Sequence, residues 1–126
     1  MIGRSIYEIL SSSPAITALV GNRIGPIKSE QAANFPCLYY ATDNIAPIRC
    51  RRSGGQYEGT VEISMLARTP AEIDQLTGAV RLVLDNSRHT TADYYLNIDA
   101  GISAPDDEED AIFYRRLDFS ISVQRR

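Results

Sequence analysis

Two stretches of strict alternation constrain this chain more than anything else in it. Between Tyr57 and Arg68, Tyr57, Val61, Ile63, Met65 and Ala67 share one parity, and Glu58, Thr60, Glu62, Ser64 and Arg68 share the other. In the closing stretch, Phe113, Leu117, Phe119, Ile121 and Val123 alternate with Tyr114, Arg116, Asp118, Ser120, Ser122 and Gln124. A period of two with one apolar and one polar side marks a strand with one buried and one wet face, as in an antiparallel sheet. Arg115 falls on the inner parity, where its guanidinium is expected to escape to water at the sheet's edge.

The apolar faces need a cover, and the cover is helical. Thr69-Pro70-Ala71-Glu72 is a capping box with proline at the first helical position. Ile73, Leu76, Val80, Val83 and Leu84 follow as an apolar stripe, which predicts a helix from about Pro70 to Asp85. Ile2, Ile6, Ile9 and Leu10 form a second stripe at the start of the chain. Ser13-Pro14 opens a short third helix carrying Ile16, Leu19 and Val20, and Gly21 closes it. Val61, Ile63, Leu76, Val80, Val83, Phe119 and Ile121 are expected to be buried together.

The connections are less regular. Ile24 to Ile27 reads as a short strand and Ser29 to Asn34 as a loop. Cys37 to Thr42 has the aromatic and β-branched content of a strand. Asp43 to Gln56 reads as an extended, partly mobile hairpin arm closing near Ser53-Gly54-Gly55. A loop at Arg88 to Asp93 precedes a strand around Tyr95, Leu96, Ile98 and Ile102, and Asp106 to Asp110 reads as a wet turn. No internal repeat is present. The sum is an α+β fold: an antiparallel sheet with helices packed on one face. It is expected to be a single domain over residues 1–126, with a long β-hairpin arm at about 43–56 and an acidic loop at about 104–111.

Charge and chemistry narrow the function. A net charge of -3 and a pI near 5.1 argue against a globally basic nucleic-acid binder. No apolar run approaches the roughly 18 residues of a membrane span, and Met1 to Leu10 does not read as a signal peptide. The expectation is a mildly acidic, soluble domain made in the cytosol, with no membrane partner. Cys37 and Cys50 lack paired spacing, and with one histidine the Cys and His ligands are too few for a zinc site. That histidine, His89, lies beside Thr90 and Thr91 with no nucleophile motif, so a solvated helix-end residue is the better reading than a general base. No glycine-rich phosphate loop occurs, so no nucleotide cofactor is expected.

Two charged clusters remain. Asp106, Asp107, Glu108, Glu109 and Asp110 are five adjacent carboxylates. They lack the spaced ligands and sixth-position glycine of a calcium loop, which leaves a solvated loop or a contact with a basic partner surface. Arg49, Arg51 and Arg52 are the basic counterpart. Three arginines without interleaved aromatics are a thin nucleic-acid site, but arginine on an arm also suits a protein interface, where it pairs bidentately with carboxylates. A plain solvated loop is the alternative.

Taken in order, these residues resemble a known family. The opening run Ile6-Tyr7-Glu8-Ile9-Leu10-Ser11-Ser12-Ser13-Pro14-Ala15-Ile16-Thr17-Ala18-Leu19-Val20-Gly21-Asn22-Arg23-Ile24 is similar to the start of the tail completion, or tail terminator, proteins of long-tailed phages and prophages. Phe35-Pro36-Cys37-Leu38-Tyr39-Tyr40 resembles a second family step, and Tyr57 to Ser64, Ala67-Arg68-Thr69 and the Ile73 to Leu84 helix a third. Tyr114-Arg115-Arg116-Leu117-Asp118-Phe119-Ser120 is similar to the family's closing strand. The likeness spans nearly the whole chain in one order. The arginine arm and the acidic run are not family signatures.

The resemblance implies a structural virion protein with no catalytic residues and no cofactor. It implies a homo-oligomer, usually a hexameric ring, at the head-proximal end of the tail tube. Such a ring contacts the tail tube protein and the head-tail connector or stopper protein, and DNA passes through it without sequence-specific binding. The expected location is the neck of a virion assembled in a bacterial host's cytoplasm. The alternatives are a head-side connector or stopper adaptor and, less well supported, a small hydrolase using His89.

Overall fold

The structure, a computed structural model, describes residues 2–26, 36–47, 56–109 and 111–126. Its elements in chain order are α1 (Ile2–Ser11), α2 (Pro14–Val20), β1 (Ile24–Pro26), β2 (Cys37–Pro47), β3 (Gln56–Ala67), α3 (Pro70–Leu84), β4 (Ser87–Thr90), β5 (Tyr94–Ile98), β6 (Ile102–Ser103), β7 (Asp107–Glu109) and β8 (Ile112–Arg125). The fold is α+β, with a mostly antiparallel sheet and the helices on one side of it.

The strands run in the order β1-β2-β3-β8-β5-β4. Among the described strands only β1 and β2 pair in parallel. The spine is β8. Along one edge it pairs with β3 from Phe113 opposite Ala67 to Gln124 opposite Gln56. Along its other edge it takes β7, β6 and β5 in succession. The two alternating stretches are therefore neighbours, and their apolar parities add to one surface. Val61, Ile63, Met65 and Ala67 lie there beside Leu117, Phe119, Ile121 and Val123, all buried.

The helices close over that surface as their stripes require. Ile6, Leu10, Ile16, Val20, Leu76, Val80 and Leu84 are fully enclosed. Val83 is only partly buried and packs at the margin of the core, because it sits one step off the Leu76–Val80–Leu84 line. The start of α3 differs in one bond from a reciprocal capping box. Thr69 Oγ1 accepts from the Glu72 amide at 3.2 Å, but the Glu72 carboxylate takes the Thr69 hydroxyl, also at 3.2 Å, and not the Thr69 amide. For α2, Ser13 accepts from the Ile16 amide, and Gly21 stands at φ 60, ψ -124, a positive-φ backbone open to glycine but outside the left-handed helical conformation expected there.

Other expectations change too. The Arg88–Asp93 loop holds strand β4, a polar strand that ladder pairing to β5 stabilises without an apolar stripe. Ser64, on the supposedly wet face, is buried, and its hydroxyl lies 3.2 Å from the Tyr114 hydroxyl of the adjacent strand. Most of the wet turn is strand β7, paired to the start of β8. The start of the β-hairpin arm is as expected: β2 stays paired to β3 as far as Pro47 opposite Tyr57, with a bulge between Asp43 and Ala46. Ile45 settles against Gly59 at that bulge, where a Cβ on residue 59 would lie 2.4 Å from the Ile45 Cδ1. The Ser29–Asn34 loop and the arm's closing residues Ser53-Gly54-Gly55 lie outside the described residues.

Candidate functional site

Of the two charged clusters, the acidic one can be placed. Asp107 pairs with Tyr114, Glu108 with Phe113 and Glu109 with Ile112, so the run folds back on β8 through a tight turn in which Ala111 has φ 61. Asp106, Asp107 and Glu108 are exposed. The Glu109 side chain and Asp110 lie outside what the structure describes, as do Arg49, Arg51 and Arg52.

Five adjacent carboxylates repel one another unless cations or donors take them up. Here Arg115 does part of this. Its Nε donates to Asp106 Oδ1 and its Nη2 to Asp106 Oδ2, both at 2.7 Å. Its Nη1 reaches the other way, to Asp74 Oδ1 at 3.0 Å and Thr77 Oγ1 at 3.1 Å on α3. The guanidinium thus stays on the helix side, its side chain 19% exposed, instead of escaping to water. These hydrogen bonds hold the Asp106 carboxyl below its ordinary range and raise Arg115 further above its own. Asp107 Oδ1 in turn accepts from the Glu108 amide at 2.8 Å. Asp106 and Asp107 are thus each held by a donor, and among the described residues no three potential ligands gather as a cation site.

A second clamp lies further along the same side. Arg81 Nη1 donates to the Gly101 carbonyl at 2.9 Å, Asp85 Oδ1 accepts from the Gly101 amide at 2.7 Å, and Arg81 and Asp85 pair at 3.2 Å. Beside this clamp, Leu82 and Ile102 are 80% and 73% exposed, large apolar side chains facing solvent. The alternation on α3 and around Ile102 is too short to mark them from sequence.

The strand ends that anchor the two charged connections lie at different ends of the sheet. The chain leaves β2 at Pro47 and returns at Gln56, opposite Gln124 near the end of β8. The acidic strand pairs at the beginning of β8, opposite Ile112 to Tyr114. At about 3.4 Å per residue, these places are roughly 34 Å apart.

His89 is not arranged as a base. It lies on β4, half-buried, with Nε2 3.0 Å from the Val83 carbonyl and 3.0 Å from Ser87 Oγ. A carbonyl oxygen only accepts, so Nε2 carries the proton. The Ser87 hydroxyl donates to the Leu84 carbonyl at 2.7 Å. Both partners therefore satisfy the end of α3, and neither activates the other. The cleft of about 410 Å³ beside them is lined mainly by hydroxyls, Glu8 and aliphatic side chains.

The open face of the sheet is polar. At its centre Arg116 Nη2 donates to Asp118 Oδ2 at 3.3 Å, while Nε and Oδ1 approach to 3.0 Å without the alignment of a hydrogen bond. We take that second approach as an ionic contact only.

The family model described as Tail completion protein gp17 matches residues 4–123. The chain belongs to this tail completion family. The match takes in every element, short only of the ends of α1 and β8. A comparison with curated proteins finds no match. Among solved structures, a chain in the virion of a native gene transfer agent particle shares the fold of this tail completion protein. Its TM-score is 0.65 at 14% identity, over 95% of this chain and 90% of that one. The tail completion family is one of structural tail components, in keeping with a surface of ordered charges around an enclosed core.

Proposed function

We propose that this tail completion protein forms a ring of six copies that ends the tail tube and joins it to the head connector. Membership of the tail completion family over residues 4–123 carries the reading. On this reading the protein sits in the virion neck, assembled in the bacterial host's cytoplasm. It meets the tail tube protein on one side and the connector or stopper protein on the other. DNA passes through it without sequence-specific contacts.

The geometry supports a ring in one further respect. A ring that closes by rotation joins one surface of a subunit to a different surface of the next. The acidic strand pairs at the start of β8, whereas the connection carrying Arg49, Arg51 and Arg52 enters β3 at Gln56, opposite Gln124 near the end of β8. On this reading the two charged connections meet between subunits, or face two different neighbours along the neck.

Particle morphology in the absence of the protein tests the proposal. Tails of abnormal length that fail to join heads are expected. Normal-length tails joined to heads would overturn it, and normal-length tails left unjoined would move the protein to a head-side adaptor. The hydrolase reading would need an activity abolished by His89→Ala, and the bonding of His89 to the end of α3 speaks against it.

A further inference from the structure

We infer that the outer edge of β4 is a strand-addition site for a second copy of this chain, occupied by the neighbour's β1. The inference rests on the ring reading and specifies which surfaces close the ring.

β4 is the last strand of the sheet, and its register to β5 assigns every backbone group. The Thr91 amide donates to the Tyr94 carbonyl at 2.9 Å. Because antiparallel pairs alternate, His89 and Ser87 bond to β5, while Arg88 and Thr90 turn their N–H and C=O groups outward. Among the described residues nothing bonds to those four groups. A row of unpaired backbone groups is a template for another strand, and proteins usually blunt it. The acidic edge is blunted in this way: the Glu108 amide is taken by Asp107 Oδ1. At β4 no such cap is found among the described residues. The cleft lined by Ile9, Ser12, Ser13, Val83, His89 and Thr90 opens on its helix side, so the helices leave room for an added strand's side chains.

The occupant follows from the far side of the same sheet. β1 is the other terminal strand. The Leu38 amide donates to the Arg23 carbonyl at 3.0 Å, so Ile24 turns its own N–H and C=O away from β2. Counting directions across the sheet, β1 and β4 point the same way. Setting the neighbour's β1 beside β4 therefore continues the sheet in parallel, and the step repeats identically at each subunit. That is the heterologous contact a ring requires.

Amide exchange and proline substitution test this. In a ring assembled from this protein alone, the Ile24, Arg88 and Thr90 amides are expected to exchange at least tenfold more slowly than in dilute monomer. Thr90→Pro removes an outward N–H without touching the β5 ladder. It is expected to melt near the wild type yet lose the ring, while Thr90→Ala keeps it. A ring in which these amides exchange as fast as in the monomer, or a ring formed by Thr90→Pro, would overturn the edge pairing and leave the ring reading standing. Protection seen only in particles that also contain tube or connector protein would assign the edge to one of them and overturn the choice of occupant. If neither free protein nor particles contain a ring, the proposed function fails and this inference fails with it.

Discussion

Arg115 holds Asp106 in a two-pronged grip, Nε to Oδ1 and Nη2 to Oδ2, each at 2.7 Å. Its remaining nitrogen ties the pair to Asp74 and Thr77 on α3. One residue of β8 thus fastens the acidic edge to the helical layer. Parallel N–H···O bonds of this kind are among the stronger side-chain contacts. Asp106 and Asp74 are 58% and 69% exposed, however, so water screens much of the gain.

Arg115→Met is expected to lower stability by about 1 kcal/mol or less. The effect has a pH signature. The folded protein holds the Asp106 carboxyl below its ordinary value of 3.8, chiefly through the hydrogen bonds from Arg115. A depressed carboxyl stabilises the fold fully above the unfolded value and loses that contribution as pH falls through the folded one. Melting of wild type and Asp106→Asn should therefore differ near neutrality and converge below pH 3.8. A difference that persists unchanged in acid would show that the grip is not what Asp106 contributes.

Gly101 and Gly78 should respond oppositely to alanine. A Cβ on residue 101 would lie 2.6 and 2.7 Å from Phe119 ring carbons, and Phe119 is fully enclosed. The Arg81 and Asp85 bonds hold the Gly101 backbone on its other side. Gly101→Ala is expected to destabilise by about 1–3 kcal/mol through overpacking. Gly78 lies inside α3, where an added methyl would meet nothing within 4 Å, so Gly78→Ala should stabilise by about 0.4–1 kcal/mol. Denaturant melts of the two variants check both signs.

Leu76→Ala removes a fully enclosed side chain between α3 and the sheet. The expected cost is about 2–5 kcal/mol, read from chemical denaturation, because the surrounding strands are fixed by their ladders and cannot collapse into the space. A cost near zero would mean the helix turns a different face to the sheet.

Reversing Arg49, Arg51 and Arg52 together to Glu should weaken assembly more than it weakens the fold. These residues lie outside the inferred core, so melting should be nearly unchanged. Reversed charges would face wrong partners at an interface, where like-charge juxtaposition costs several kcal/mol. Native mass measurement and incorporation into particles would separate the two effects.

The fold is legible wherever burial writes a period into the chain. The stripes on α1 and α3 and the alternation of β3 and β8 each predict a buried face, and those faces meet. Legibility fails where a backbone ladder or a side-chain bond fixes the structure instead. β4 has no apolar stripe, so Arg88 to Thr90 reads as loop. Ser64 is polar yet buried under a neighbouring tyrosine. The five acids are visible as a cluster, but the pairing of Asp107–Glu109 to β8 and the grip on Asp106 by Arg115 are not, since the parity of Arg115 points inward while its charge argues for water. Which atoms satisfy a charge is a long-range fact, and the partners Asp74 and Asp106 lie 41 and 9 residues away.

The pairing of β8 also has a mechanical consequence. It is laddered to β3 over twelve residue pairs, from Gln56 with Gln124 to Ala67 with Phe113. A load applied along β8 pulls on that ladder in shear, so its backbone bonds resist together. A load across it would peel them one after another. The short strands β7, β6 and β5 on the opposite edge hold far fewer pairs each and would slip first. The protein is therefore stiff along one axis and compliant along one flank, and tension carried through it would be borne best in the direction of its longest strand.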